Sequence, residues 1–140
     1  VSVHLIIPGP PRGKGRPRTT RKGHVYTDAK TRAYEKRIRD LFREKYGADF
    51  TPLDGPLEME IVVTFPVPVS ASKKRRHDML WGVECPTKRP DLSNLVKCPE
   101  DALNGLAYKD DAQIVSFAAL KRYGGNGKVE VKIYPAGEEP

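Results

Sequence analysis

The stretch LEMEIVVTF places Leu57, Met59, Ile61, Val63 and Phe65 at alternate positions, with Glu58, Glu60, Val62 and Thr64 between them. Successive side chains in an extended chain point to opposite faces, so this period of two predicts a strand with one buried face, ended by Pro66 and Pro68. Such a strand needs neighbours along its edges and a layer over its apolar face. VHLII at residues 3 to 7, closed by a PGPP turn, reads as a second, buried strand. Ile114, Val115, Phe117, Ala119 and Leu120 form a third. A GGNG turn joins it to Val129, Val131 and Ile133, and the pair is expected to be a hairpin.

Two stretches can supply the covering layer. Tyr34, Ile38, Leu41, Phe42 and Tyr46 recur at steps of three and four, which predicts a helix capped by Asp28 and ending near Gly47. In RPDLSNLVKCPEDALNGLAYKDDAQ, residues 89 to 113, Leu92, Leu95, Val96, Ala102, Leu103 and Leu106 share one helical face. Ser93, Lys97, Glu100, Asp101 and Asn104 share another, and Gly105 suits the C-terminal cap. Pro99 removes a donor and crowds the Leu95 carbonyl, so a kink there or a fresh helix start are both open. The expectation is an α/β (α+β) fold: one domain over residues 1–140, a small mixed sheet with two main helices packed on it. The basic loop GKGRPR is expected to be mobile without a ligand, and residues 67 to 90, which include Trp81, to form a long irregular connection.

Charge points to the partner. The net charge is +7, and between Arg12 and Lys45 thirteen Lys and Arg face only four acids. A second basic knot is Lys73-Lys74-Arg75-Arg76-His77. Two basic runs flanking an acidic cluster favour phosphate binding, with Lys14, Arg16, Arg18, Lys73, Lys74, Arg75, Arg76 and Arg89 as the candidate grip on DNA. No apolar run is long enough for a bilayer, and the first residues lack a basic leader, so a cytoplasmic location and no membrane partner are expected. Cys85 and Cys98 have no CxxC spacing and the three histidines are scattered, which argues for reduced thiols and against zinc.

The acid lies in residues 89 to 113, where Asp91, Glu100, Asp101, Asp110 and Asp111 stand in a basic chain. If helix and strand pack antiparallel, Asp91 and Asp111 converge at one end, and convergent oxygens suit Mg²⁺ or Mn²⁺. Taken singly, Asp91 reads as an N-cap and Asp110-Asp111 as a turn. Lys97, beside Glu100 and Asp101 on the polar face, is either a surface ion pair or a stabiliser of a charged phosphoryl transition state.

The order R-P-D-x-x-N-L-x-K, then D-A-L-N-G, then Y-K-D-D-A-Q closely resembles the RusA family of Holliday junction resolvases of bacteria and their phages. The resemblance is dense from Lys88 to Tyr123 and looser over the GKGRPR loop and the V-Y-T-D segment. It implies a homodimer that nicks opposed strands of a four-way DNA junction with Mg²⁺. By position, Asp91 and Asp111 match family acids essential for metal-dependent cleavage, and Lys97 matches the catalytic lysine. One position departs: the family's D-x-D-N is here Asp91-Leu92-Ser93-Asn94, so the middle carboxylate is absent. Glu100, two turns after Ser93 on the same face, can return an oxygen to that space, as can the serine hydroxyl or a water, and Asp101 and Asp110 are further accessory candidates. The expected activity is a Mg²⁺-dependent, structure-selective endodeoxyribonuclease. Its rivals are a DNA-binding protein of the same fold that has lost catalysis, and a nuclease of other branched DNA.

Overall fold

The computed structural model describes residues 2 to 139. Its centre is a four-stranded mixed sheet of β1 (Val3–Pro8), β4 (Leu57–Pro66), β5 (Ile114–Gly124) and β6 (Lys128–Pro135), in the order β1-β6-β4-β5. A two-stranded ribbon, β2 (Arg18–Thr19) with β3 (Val25–Tyr26), follows the basic loop. The α-helices among the described residues are α1 (Ala29–Tyr46), α2 (Lys73–Leu80), α3 (Leu92–Leu95) and α4 (Lys97–Leu103). The expected α+β class and mixed sheet hold, and no helix among the described residues is long and apolar enough to cross a membrane.

The alternation read from β4 is the plane of the core. Leu57, Met59, Ile61 and Val63 are each no more than 1% exposed, and their register partners Val129, Val131 and Ile133 on β6 bury the same face. Val3, Leu5 and Ile7 extend that face onto β1. Tyr34, Ile38 and Phe42 of α1 and Leu95, Ala102 and Leu103 of α3 and α4 belong to the same cluster. Each fully buried aliphatic or aromatic side chain here contributes about 1.5–3 kcal/mol of burial free energy.

Three expectations change. β5 and β6 are not a hairpin: β4 lies between them, antiparallel to β6 and parallel to β5, and the short link from Gly124 to Lys128 crosses the end of β4. There the Val67 N–H donates to the Gly124 carbonyl and the Gly9 N–H to the Gly127 carbonyl. A glycine-rich turn between two apolar runs carries no mark of a strand inserted between them. Second, the connection 67 to 90 contains α2, started by Ser72, whose Oγ accepts from the Arg75 N–H at 3.2 Å. Of its residues Met79 is buried, so no apolar period announces it.

Third, the basic loop is held rather than free. Gly15 N–H donates to Thr31 Oγ1 at 2.9 Å, and Lys14 N–H donates to the Asn94 carbonyl at 3.3 Å. A Cβ at Gly13 would stand 2.5 Å from Asn94 Nδ2, and one at Gly15 would overlap Asp28 Oδ2 outright. The two glycines let the loop press against α3 on one side and the start of α1 on the other.

Candidate active site and basic groove

Residues 89 to 113 form two short helices instead of one. α3 ends at Val96 and α4 begins at Lys97, with Pro99 buried in its first turn, where the missing N–H costs nothing. Asn104 closes α4 and Gly105 follows at φ 84°, as a left-handed residue after a helix should. This break sets the polar residues on an arc. Asp91 and Ser93 are exposed at the start of α3, Lys97 is exposed at the start of α4, and Glu100 is half-buried one turn later.

Asp91 has the backbone geometry of an N-cap, yet among the described residues its side chain makes no capping hydrogen bond. Asp110 is the opposite case. Its carboxylate accepts from the Ala112 N–H at 3.0 Å, while the Gln113 side chain accepts from the Asp110 and Lys109 N–H groups. That reciprocal cap holds the Asp110 carboxyl below its usual range and fixes the turn that presents Asp111.

The carboxylates of Glu100 and Asp101 on α4 lie near Asp111 of this turn. Burial, then the charges of Asp111 and Asp101, push the Glu100 carboxyl above its ordinary range, while Lys97 pulls it down. Asp111 is also raised, first by the adjoining Asp110 carboxyl, then by burial and by Asp101. Beneath them Tyr108 is fully buried, and its hydroxyl donates to the Glu100 carbonyl at 2.5 Å. Its phenol is pushed far up by burial and by the charges of Glu100, Asp111 and Asp101, so it remains a neutral donor.

Asp91 lies at the start of α3, next to a residue tied to β5. The Pro90 carbonyl accepts from Lys121 Nζ at 3.1 Å, and Asp111 leads directly into the same strand. Among the described residues, no three His, Cys, Asp or Glu side chains form a ready metal-holding group. The chemistry of the donors still fits a hard divalent cation: Glu100 and Asp111 are half-buried carboxylates whose pKa values neighbouring acids raise, and Mg²⁺ is commonly held by one or two carboxylates with waters completing its shell.

The basic residues divide into engaged and free. Lys14 Nζ bonds Glu35 at 3.2 Å and also pairs with Asp101, tying the loop to the acidic face. Arg75 forms a two-point pair with Glu84, at 3.3 and 2.8 Å, and Arg76 donates to the Pro68 carbonyl. Arg16, Arg18, Lys73, Lys74 and Arg89 are exposed. A cleft of about 430 Å³ opens between the loop and α1, and its cations are Arg12, Arg18 and Lys30. It continues past Lys30 toward Arg32 on one side and Arg37 on the other.

Sequence reasoning named Arg18 here and missed Arg12 and Lys30, which only the folding of the loop onto α1 brings together. It also missed Tyr108 and Gln113. The signal for Gln113 was available, since it lies three residues after Asp110 in capping-box spacing.

Comparison with known proteins places the chain in a family. The profile of the family described as Endodeoxyribonuclease RusA matches residues 8–134. The chain is also 37% identical over 135 residues to "Uncharacterized protein YqaN" of Bacillus subtilis (strain 168), covering 94% of each. Strands β4 and β5, the acidic turn and the basic loop thus lie within one continuous family match, and the chain belongs to the RusA endodeoxyribonuclease family.

Proposed function

We propose that this protein is a divalent-cation-dependent endonuclease that nicks four-way and related branched DNA in recombination and repair, acting as a homodimer. The observation that carries the reading is the meeting of Glu100, Asp101 and Asp111 beside Lys97, next to a loop that Lys14 ties to Asp101 and to Glu35 of α1. Glu100 and Asp111 would hold the cation, Mg²⁺ or Mn²⁺. When bound it supplies a Lewis acid for the phosphodiester and a more acidic water.

The chain's own residues do the rest. Asp91, free of any capping bond, is a further carboxylate available once a DNA strand lies across α3. The exposed Lys97 ammonium, one turn from Glu100, offsets the charge that builds on the phosphoryl oxygens. Asp101, paired with Lys14, holds the loop in place instead of acting on the phosphate. Arg12, Arg18 and Lys30 give the backbone of one arm a cationic groove. Contacts of that kind position DNA without reading sequence, so selection of a junction comes from shape and from two sites spaced by a dimer.

A labelled four-way junction, incubated with and without Mg²⁺ beside a duplex of the same sequence, tests the proposal. Paired nicks confined to the junction with Mg²⁺ are expected. Tight junction binding with no cleavage in Mg²⁺ or Mn²⁺ would leave a binding protein of the same fold.

A further inference from the structure

α2 and the residues after it carry a feature that the cleavage site does not use. Lys73, His77 and Trp81 recur at intervals of four and so form one stripe, with Lys74 beside it. Trp81 closes the helix as its C-cap, its N–H bonded to the His77 carbonyl, and Gly82 turns the chain away at φ 80°. The indole is 75% exposed, an unusual state for the largest apolar side chain. Its ring lies 5.8 Å from the His77 ring, centre to centre, tilted by 33°. The other cations of the helix are turned to structural partners: Arg75 to Glu84, and Arg76 to the Pro68 carbonyl. Lys73 and Lys74 remain exposed beside the two rings.

We infer that Trp81, with His77 behind it, is a stacking platform for an unpaired or splayed nucleobase of branched DNA, whose flanking phosphates meet Lys73 and Lys74. The inference rests on the branched-DNA reading and deepens it, by giving the protein a contact that duplex DNA cannot satisfy. An exposed aromatic face beside free cations is the combination that single-stranded nucleic acid needs, because every base offers a π-face and every linkage a charge. A protein-binding helix would carry an apolar stripe along its length, whereas here the apolar residues Met79, Leu80 and Trp81 sit only at the C-terminal end, beyond four consecutive cations. Those cations also oppose a self-association through this face.

Trp81 is the one tryptophan of the chain, so its emission reports on this position alone. The protein is titrated with oligothymidylate, with a four-way junction and with matched duplex, while anisotropy of a labelled DNA records binding independently. Quenching by single strand and junction is expected to exceed that by bound duplex. Trp81→Ala should weaken junction binding by roughly 5- to 150-fold, the equivalent of about 1–3 kcal/mol for the missing base stack, with duplex binding within about twofold, and Trp81→Phe should keep most of the affinity. Unchanged emission at saturating junction would overturn the inference, as would a Trp81→Ala protein that binds the junction normally or loses only its self-association. Mg²⁺-dependent nicking is measured in parallel: nicking without quenching defeats the platform alone, and quenching without nicking defeats the nuclease reading alone.

Discussion

Glu100 and Asp111 share a cost that a cation would remove. Their carboxyls are raised, so the folded protein holds these protons more tightly than the unfolded chain does. The stabilisation from that tighter hold is complete below the ordinary carboxyl values and is lost as pH rises through the raised folded values; at neutral pH the charged carboxylates repel. Without divalent cation, Glu100→Gln and Asp111→Asn should therefore melt higher than the parent near pH 7, with the gain shrinking below about pH 4. Thermal melts across pH, with and without Mg²⁺, check this, and a variant that melts lower at neutral pH would show that the carboxylate is held by a favourable partner. Lys97→Ala should lower the cleavage rate by about 10²–10³-fold with junction affinity little changed, since its charge acts mainly on the transition state. A loss confined to affinity, overcome by more protein, would make Lys97 a binding residue. Ser93 was legible from the sequence as a missing carboxylate, and Glu100 as a candidate to fill the space. Asp110 was legible as a turn residue, and its cap with Gln113 could have been read from their spacing; the role of Tyr108 was not legible, because a buried phenol under a site is set by packing.

Among the elements, those with a strong period were readable and those without one were not. α1 and β4 follow from their apolar positions, down to the Asp28 cap, whose carboxylate takes both the N–H and the hydroxyl of Thr31 at 2.9 Å. α2 had no period to read, and the pairing of β5 depended on β4 arriving between it and β6, a long-range event invisible in either strand. The loop of residues 12 to 18 shows the same limit: its glycines and cations were plain, but the surfaces against which Gly13 and Gly15 pack come from α3 and α1. Gly15→Ala is predicted to unseat this loop. Cleavage should fall more than global stability, because the hydrophobic core is untouched, and limited proteolysis should cut near residue 15. A cleavage rate and proteolysis pattern like the parent's would mean that the loop tolerates displacement. Neutralising Arg16 and Arg18 together should flatten the salt dependence of binding, for every DNA form, by about one unit of log–log slope for each phosphate no longer neutralised. An unaltered slope would place both arginines away from the DNA backbone.

For the whole molecule, the sheet leaves one long strand open. β5 pairs with β4 on one edge and with no strand among the described residues on the other, while Val115, Phe117 and Leu120 along it are 64%, 40% and 48% exposed. An apolar edge of this length invites pairing with another chain, and an antiparallel copy of itself makes a self-complementary match. This supports the proposed homodimer, since the two opposed nicks of the proposed reaction require two sites. Phe117→Lys should convert the protein to a monomer in sedimentation and uncouple the two nicks, and an unaltered dimer would place the interface elsewhere.

In the proposed site Glu100, with Asp111, does the work of the carboxylate absent at Ser93. The Mg²⁺ dependence of junction cleavage in Glu100→Gln, measured beside the parent, decides whether Glu100 has that role. Removing a ligand should raise the Mg²⁺ concentration for half-maximal cleavage by about tenfold or more, a scale seen even when residues that merely orient metal ligands are removed. Adding Ser93→Asp to that variant should recover part of the activity. A Mg²⁺ titration curve that Glu100→Gln leaves unmoved would contradict the account and return Glu100 to a half-buried helix residue.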